Sequence, residues 1–170
     1  SGNEAGEGTI RVDSSGDVYV MAATNSQTGL ATAGVYQQQF GGGINDLYLA
    51  KLSSSGNLLW ATYLGGNNTE GVETHHLAID MQGNPVVAAQ SSSTNYPVTS
   101  NAYQKVLNGI CSAGCGNYGK EGVISKISAD GKQLLASTYY GGSNGEGVQG
   151  VSIDLQNRVY ITGGTYSSNL

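Results

Sequence analysis

Apolar and polar side chains alternate along this chain in short runs separated by glycine-centred polar clusters. Asp46-Leu47-Tyr48-Leu49-Ala50-Lys51-Leu52 and Leu58-Leu59-Trp60-Ala61-Thr62-Tyr63-Leu64 follow a period of two, with Ser53-Ser54-Ser55-Gly56 between them. That pattern predicts a β-hairpin, and no sustained 3.6-residue stripe predicts a helix anywhere. Residues 9–13 and 17–24 predict a second hairpin, whose centre Val12-Asp13-Ser14-Ser15-Gly16-Asp17-Val18-Tyr19-Val20 returns twice without a gap. The copies are Ile79-Asp80-Met81-Gln82-Gly83-Asn84-Pro85-Val86-Val87 and Ile153-Asp154-Leu155-Gln156-Asn157-Arg158-Val159-Tyr160-Ile161. Gly16, Gly83 and Asn157 share one column. The turn needs a positive φ there, which Gly adopts freely and Asn tolerates. Asp13, Asp80 and Asp154, three residues earlier, are placed to accept the turn's backbone N–H groups. Calcium is a poorer reading of these loops, because one carboxylate and a few carbonyls fall short of about 6–8 oxygen ligands.

The repetition extends to the whole unit. Asp13 and Asp80 lie 67 positions apart, as do Tyr36 and Tyr103, whereas Lys51 and Lys126 lie 75 apart. The additional residues fall between Gln104 and Lys126, in a loop that holds Cys111 and Cys115. Leu134-Leu135-Ala136-Ser137-Thr138-Tyr139-Tyr140 then repeats the fourth run, and Gly141-Gly142 repeats Gly65-Gly66. A four-stranded antiparallel unit returning every ~70 residues predicts an all-β fold of β-propeller blades, about two and a half of them over residues 1–170. Blade one spans about 9–64 and blade two about 72–140, with the cysteine insertion near 105–120. A half blade covers about 148–165. The alternative is a β-sandwich, which does not require hairpin, linker and strand to return in one order. Ending in mid-repeat, the chain is expected to be part of a longer one, with other parts of that parent chain as its neighbours. Further copies of itself, assembling into a ring or filament, are the alternative. The outward faces of the terminal blades, with Val159 and Ile161, are expected to be apolar and poorly soluble alone.

Residues 12–20 and the stretch Leu49-Ala50-Lys51-Leu52-Ser53-Ser54-Ser55-Gly56-Asn57-Leu58-Leu59-Trp60-Ala61-Thr62-Tyr63-Leu64-Gly65-Gly66 resemble the bacterial SBBP-type β-propeller repeat. Ala102-Tyr103-Gln104 and Ser137-Thr138-Tyr139-Tyr140-Gly141-Gly142 fit the same pattern. The resemblance covers nearly everything except the cysteine insertion. It implies blades of large secreted or cell-surface bacterial proteins, often beside adhesion or carbohydrate-binding modules. It implies a scaffold and carries no catalytic residues. Asn157 departs from the usual turn glycine.

Composition narrows the function classes. Only 11% of residues are charged and the net charge is −5 without a basic run, which excludes an electrostatic footprint for nucleic acid or an anionic membrane. No apolar run reaches the ~20 residues of a spanning helix. The 27 glycines and many Tyr, Asn and Gln side chains suit an outward-facing protein that meets glycans or surface proteins.

Five candidate chemistries remain. Cys111 and Cys115 are expected to form a local disulfide, worth about 2 kcal/mol for so small a ring, in an oxidising compartment. Zinc would need two further ligands, such as His75 and His76. That histidine pair sits where the second copy is two residues longer than the third, near the expected propeller axis. Neighbours on a strand face opposite ways, so a bulge would have to re-aim one of them. An axial lyase or glycoside hydrolase using His75 and His76 is the alternative to a non-enzymatic scaffold. Glu4, Glu70 and Glu146 recur before each first strand, with Glu7 and Glu73 nearby. A pair of acids suits glycoside hydrolysis, but one acid per repeat reads better as structure. Gly41-Gly42-Gly43 lacks the lysine and helix of a phosphate loop and reads as a plain loop. Asn67-Asn68-Thr69 is a formal glycosylation sequon. No cofactor is expected.

Overall fold

A computed structural model describes residues 8–71, 76–111 and 120–170. Among them there is no helix. The strands are β1 (Thr9–Val12), β2 (Val18–Thr24), β3 (Asp46–Leu52), β4 (Leu58–Leu64), β5 (His76–Ile79), β6 (Pro85–Ser91), β7 (Glu121–Ile127), β8 (Leu134–Tyr140), β9 (Glu146–Ile153) and β10 (Val159–Thr165). They form two four-stranded sheets, in the orders β1-β2-β3-β4 and β5-β6-β7-β8, and a β9-β10 pair. Every pairing is antiparallel, with equivalent registers: Tyr19 faces Lys51 in the first sheet and Val86 faces Lys126 in the second.

Two strand limits differ from the expectation for local reasons. β1 stops at Val12, because Asp13 leaves the ladder to cap the turn through its carboxylate. β9 begins at Glu146 rather than 148, because Glu146 and Gly147 pair with Thr165 and Gly164 beyond a bulge. The bulge absorbs a residue that strict alternation cannot place.

The core lies between the first two sheets. Tyr19, Met21, Leu47, Leu49 and Trp60 of one sheet join Leu77, Val87, Val123 and Ile127 of the other in one buried cluster. Polar atoms tie the sheets together. Tyr19 Oη donates to Gly83 O (2.7 Å), Trp60 Nε1 to Ala129 O (3.0 Å), and Tyr36 N to Gly131 O (2.9 Å). The β7–β8 turn thus sits against Trp60, so close that a Cβ on Gly131 would strike the indole. On the far side, β9 packs along β5, β6 and β7. β6 is buried along its whole length, whereas β10, its counterpart, is mostly exposed, with Val159 at 41%.

Candidate functional site

Three turns of one design surround a cleft of about 500 Å³, lined among others by Asp13, Lys51, Asp80, Met81, Asp154 and Leu155. Gly16, Gly83 and Asn157 have φ of 82°, 79° and 60°, the left-handed conformation the turn requires. Each aspartate accepts two backbone N–H groups through Oδ1. The donors are Ser15 and Asp17 for Asp13, Gln82 and Asn84 for Asp80, and Gln156 and Arg158 for Asp154. The remaining oxygen meets a cation. Lys51 Nζ lies 3.3 Å from Asp13 and 3.1 Å from Asp17, and Lys126 Nζ lies 2.6 Å from Asp80. In the third copy Arg158 Nε, from the turn itself, takes that place at 2.6 Å from Asp154. Burial raises the pKa of each carboxyl, but these N–H groups and cations outweigh it and hold all three below the ordinary value. The loops are saturated with donors. Among the described residues no three His, Cys, Asp or Glu side chains converge as metal ligands.

The histidine expectation is placed only in part. His76 opens β5 opposite Ala88, half-buried, and His75 lies outside the described residues. Burial first, then the charge of Arg11, lowers the His76 pKa. Arg11, Ile79 and Val151 line a hollow of about 300 Å³ where the first strands of the three units approach one another. Glu4, Glu7, Glu73 and Cys115 also lie outside the described residues, so the Cys111–Cys115 link is not described. Gly41-Gly42-Gly43 lies against residues 65–68, where a Cβ on Gly41 or Gly43 would run into backbone. Asn67, the sequon asparagine, has its amide engaged with Thr94.

The recurring glutamates are in a different place from the cleft. Glu70 is fully buried and Glu146 is 3% exposed, each in the seam between one unit and the next. Each faces another buried acid, Asp46 at the start of β3 for Glu70 and Glu121 at the start of β7 for Glu146. Asp46 and Glu121 are equivalent residues, 75 positions apart. In both seams the acids crowd a glycine, Gly65 or Gly141, at which a Cβ would overlap both carboxyl groups. The Gly-Gly motif marks the space two acids occupy.

A glutamine completes each seam. Gln37 N donates to Thr62 Oγ1 (3.0 Å), its Oε1 accepts from Gly65 N (3.1 Å), and its Nε2 approaches Asp46 Oδ2 at 3.4 Å. Gln104 repeats this with Thr138 (2.9 Å), Gly141 N (3.0 Å) and Glu121 Oε1 (2.5 Å). That is the physical content of the Tyr-Gln element in the repeat. Ser91 Oγ (2.7 Å) and Ser93 Oγ donate to Glu70 Oε1, and Thr165 Oγ1 (2.8 Å) and Ser167 Oγ do so to Glu146 Oε1. Burial, and then the neighbouring carboxylate, pushes Asp46 up to about 7, while burial raises Glu70 and Glu121. No family model matches the chain, and no curated protein matches it.

Proposed function

We propose that the chain is a run of β-propeller blades with a scaffolding and binding role, without catalysis, in a secreted or cell-surface bacterial protein. The observation that carries this reading is that polar groups suited to chemistry recur once per unit and are consumed by structure. The turn aspartates hold backbone and a cation. The seam acids hold serines, glutamines and glycine N–H groups away from solvent. A catalytic acid must reach substrate, and these are turned inward.

Three antiparallel sheets side by side, with β1, β5 and β9 drawn around a common hollow, support the blade arrangement. The blades act as a rigid support for adhesion or surface assembly, with exposed Tyr103, Tyr160 and Tyr166 offering flat, hydrogen-bonding contact to glycans or surface proteins. A Cys111–Cys115 disulfide pins the insertion loop in an oxidising compartment. Glycan arrays and pull-downs from bacterial envelope fractions test the binding role, and retention of a saccharide or surface protein is expected. Turnover of a polysaccharide that disappears in Glu70→Gln would overturn the reading.

A further inference from the structure

We infer that each seam between units holds a single shared proton between two buried carboxyl groups, Asp46 with Glu70 and Glu121 with Glu146, making the seams a lock that opens as pH rises. The geometry that carries this is an unpartnered oxygen. Among the described residues, Asp46 Oδ1 and Glu146 Oε2 are buried side-chain oxygens without a hydrogen-bond donor, in residues 0% and 3% exposed. Each points into the space beside Gly65 or Gly141 that the opposing carboxyl also fills. Two carboxylates cannot both stay charged at such range in a dry seam, and one proton between them satisfies the orphan and removes the repulsion.

The surrounding donors say where that proton sits. In the first seam both Glu70 oxygens are acceptors already, Oε1 from Ser91 and Ser93 and Oε2 from Gly66 N (3.0 Å). Asp46 Oδ2 accepts from Gly41 N (2.6 Å) and Gln37. Only Asp46 Oδ1 is left to carry the hydroxyl. In the second seam Glu121 is the saturated acceptor, with Oε1 taken by Gln104 and Oε2 by Asn108 N (3.2 Å) and Gly109 N (3.0 Å). Glu146 Oε2 there faces Glu121 as the donor. A cation is a poorer occupant, since the N–H groups of Gln37, Gly41 and Gly66 in the first seam and of Gln104, Asn108 and Gly109 in the second turn their positive ends toward the acids.

The other titratable groups near the first seam are Lys120, whose charge favours ionised Glu70, and the phenols of Tyr96 and Tyr139. Glu121 additionally feels Glu146. A carboxyl whose folded pKa is raised stabilises the fold fully below its unfolded value, near 4, and loses that contribution as pH rises through the folded value. For Asp46 the window runs from about 4 to about 7. His76 acts in the opposite sense below its unfolded pKa, and it cancels in a comparison of variants sharing it.

The test is thermal unfolding of the 170-residue chain from pH 5 to 8 beside D46N, E70Q, E146Q and E121Q. In D46N the amide N–H₂ replaces the hydroxyl permanently, so the variant should melt roughly 4 °C or more above the parent at pH 8 and lose most of that advantage by pH 5. E70Q, which turns an amide donor toward groups already donating, should melt below the parent at every pH. E146Q, whose amide N–H₂ can fill the place of the unpartnered Oε2, should melt above E121Q, whose amide would face groups that already donate. A D46N that melts no higher than the parent at pH 8, or an E70Q that equals or exceeds D46N, overturns the proposal.

Discussion

The two seams answer one problem with different side chains. The first uses an aspartate opposite Glu70 and the second a glutamate opposite Glu146. The extra methylene of Glu121 carries its carboxyl to Gln104 at 2.5 Å, where the shorter Asp46 leaves Gln37 at 3.4 Å. The unpartnered oxygen accordingly changes sides, from the acid opening β3 to the acid opening β9. What is preserved is the count of donors against acceptors, with one oxygen per seam left for a proton. Burial in a low dielectric enforces that count, because an unsatisfied polar atom there costs more than a made bond returns.

The largest expected effect comes from the shared feature. Gly65→Ala and Gly141→Ala drive a Cβ into two carboxyl groups and should each cost about 3 kcal/mol or more, read by urea unfolding. Gly56→Ala, where nothing lies within 4 Å, should cost about 1 kcal/mol from its positive φ alone. Equal losses at Gly65 and Gly56 would remove the packing argument.

Next comes the contrast between turn cations. Asp80 has a fully buried side chain against Lys126, whereas Lys51 is shared by Asp13 and Asp17, which water still reaches. Lys126→Met should cost about 2 kcal/mol, and more than Lys51→Met, in denaturant titrations at pH 7. The Asp80 pKa is lowered by its partners, so the Lys126 contribution is present above the unfolded value near 4. It fades as pH falls through the folded value, and the two lysine variants should converge with their parent in acid.

Smaller differences separate the seams by exposure. Ser93 is fully buried while Ser167, its counterpart just beyond β10, is half-buried. Ser93→Ala should cost about 1–2 kcal/mol and Ser167→Ala less than half as much, since water can replace the second donor. Asn157→Gly exchanges relief of a positive φ for loss of a 2.8 Å bond to Gln82, and should change stability by less than about 0.5 kcal/mol.

The strands and their turns were legible because both signals are local. Period-two runs mark β3, β4 and β8, and the Asp-x-x-Gly column marks the positive-φ turns. Glu70 and Glu146 could be read as structural from their recurrence alone. Their partners were not, because Asp46 and Glu121 meet them across a seam that exists only once strands from neighbouring units are side by side. The signal was nonetheless present in an acid opening the third strand of each unit and a Gly-Gly pair closing the fourth. β9 starting at Glu146 escaped the pattern because a bulge breaks the alternation on which that pattern depends. His75 and Cys115 lie outside the described residues.

The central claim concerns a proton, and infrared spectroscopy reads it directly. At pH 6 the folded chain should show a protonated-carboxyl C=O stretch that free carboxyls have lost by that pH, with part of its intensity removed by D46N. A folded parent without that band, or a band undiminished in D46N, would contradict the account.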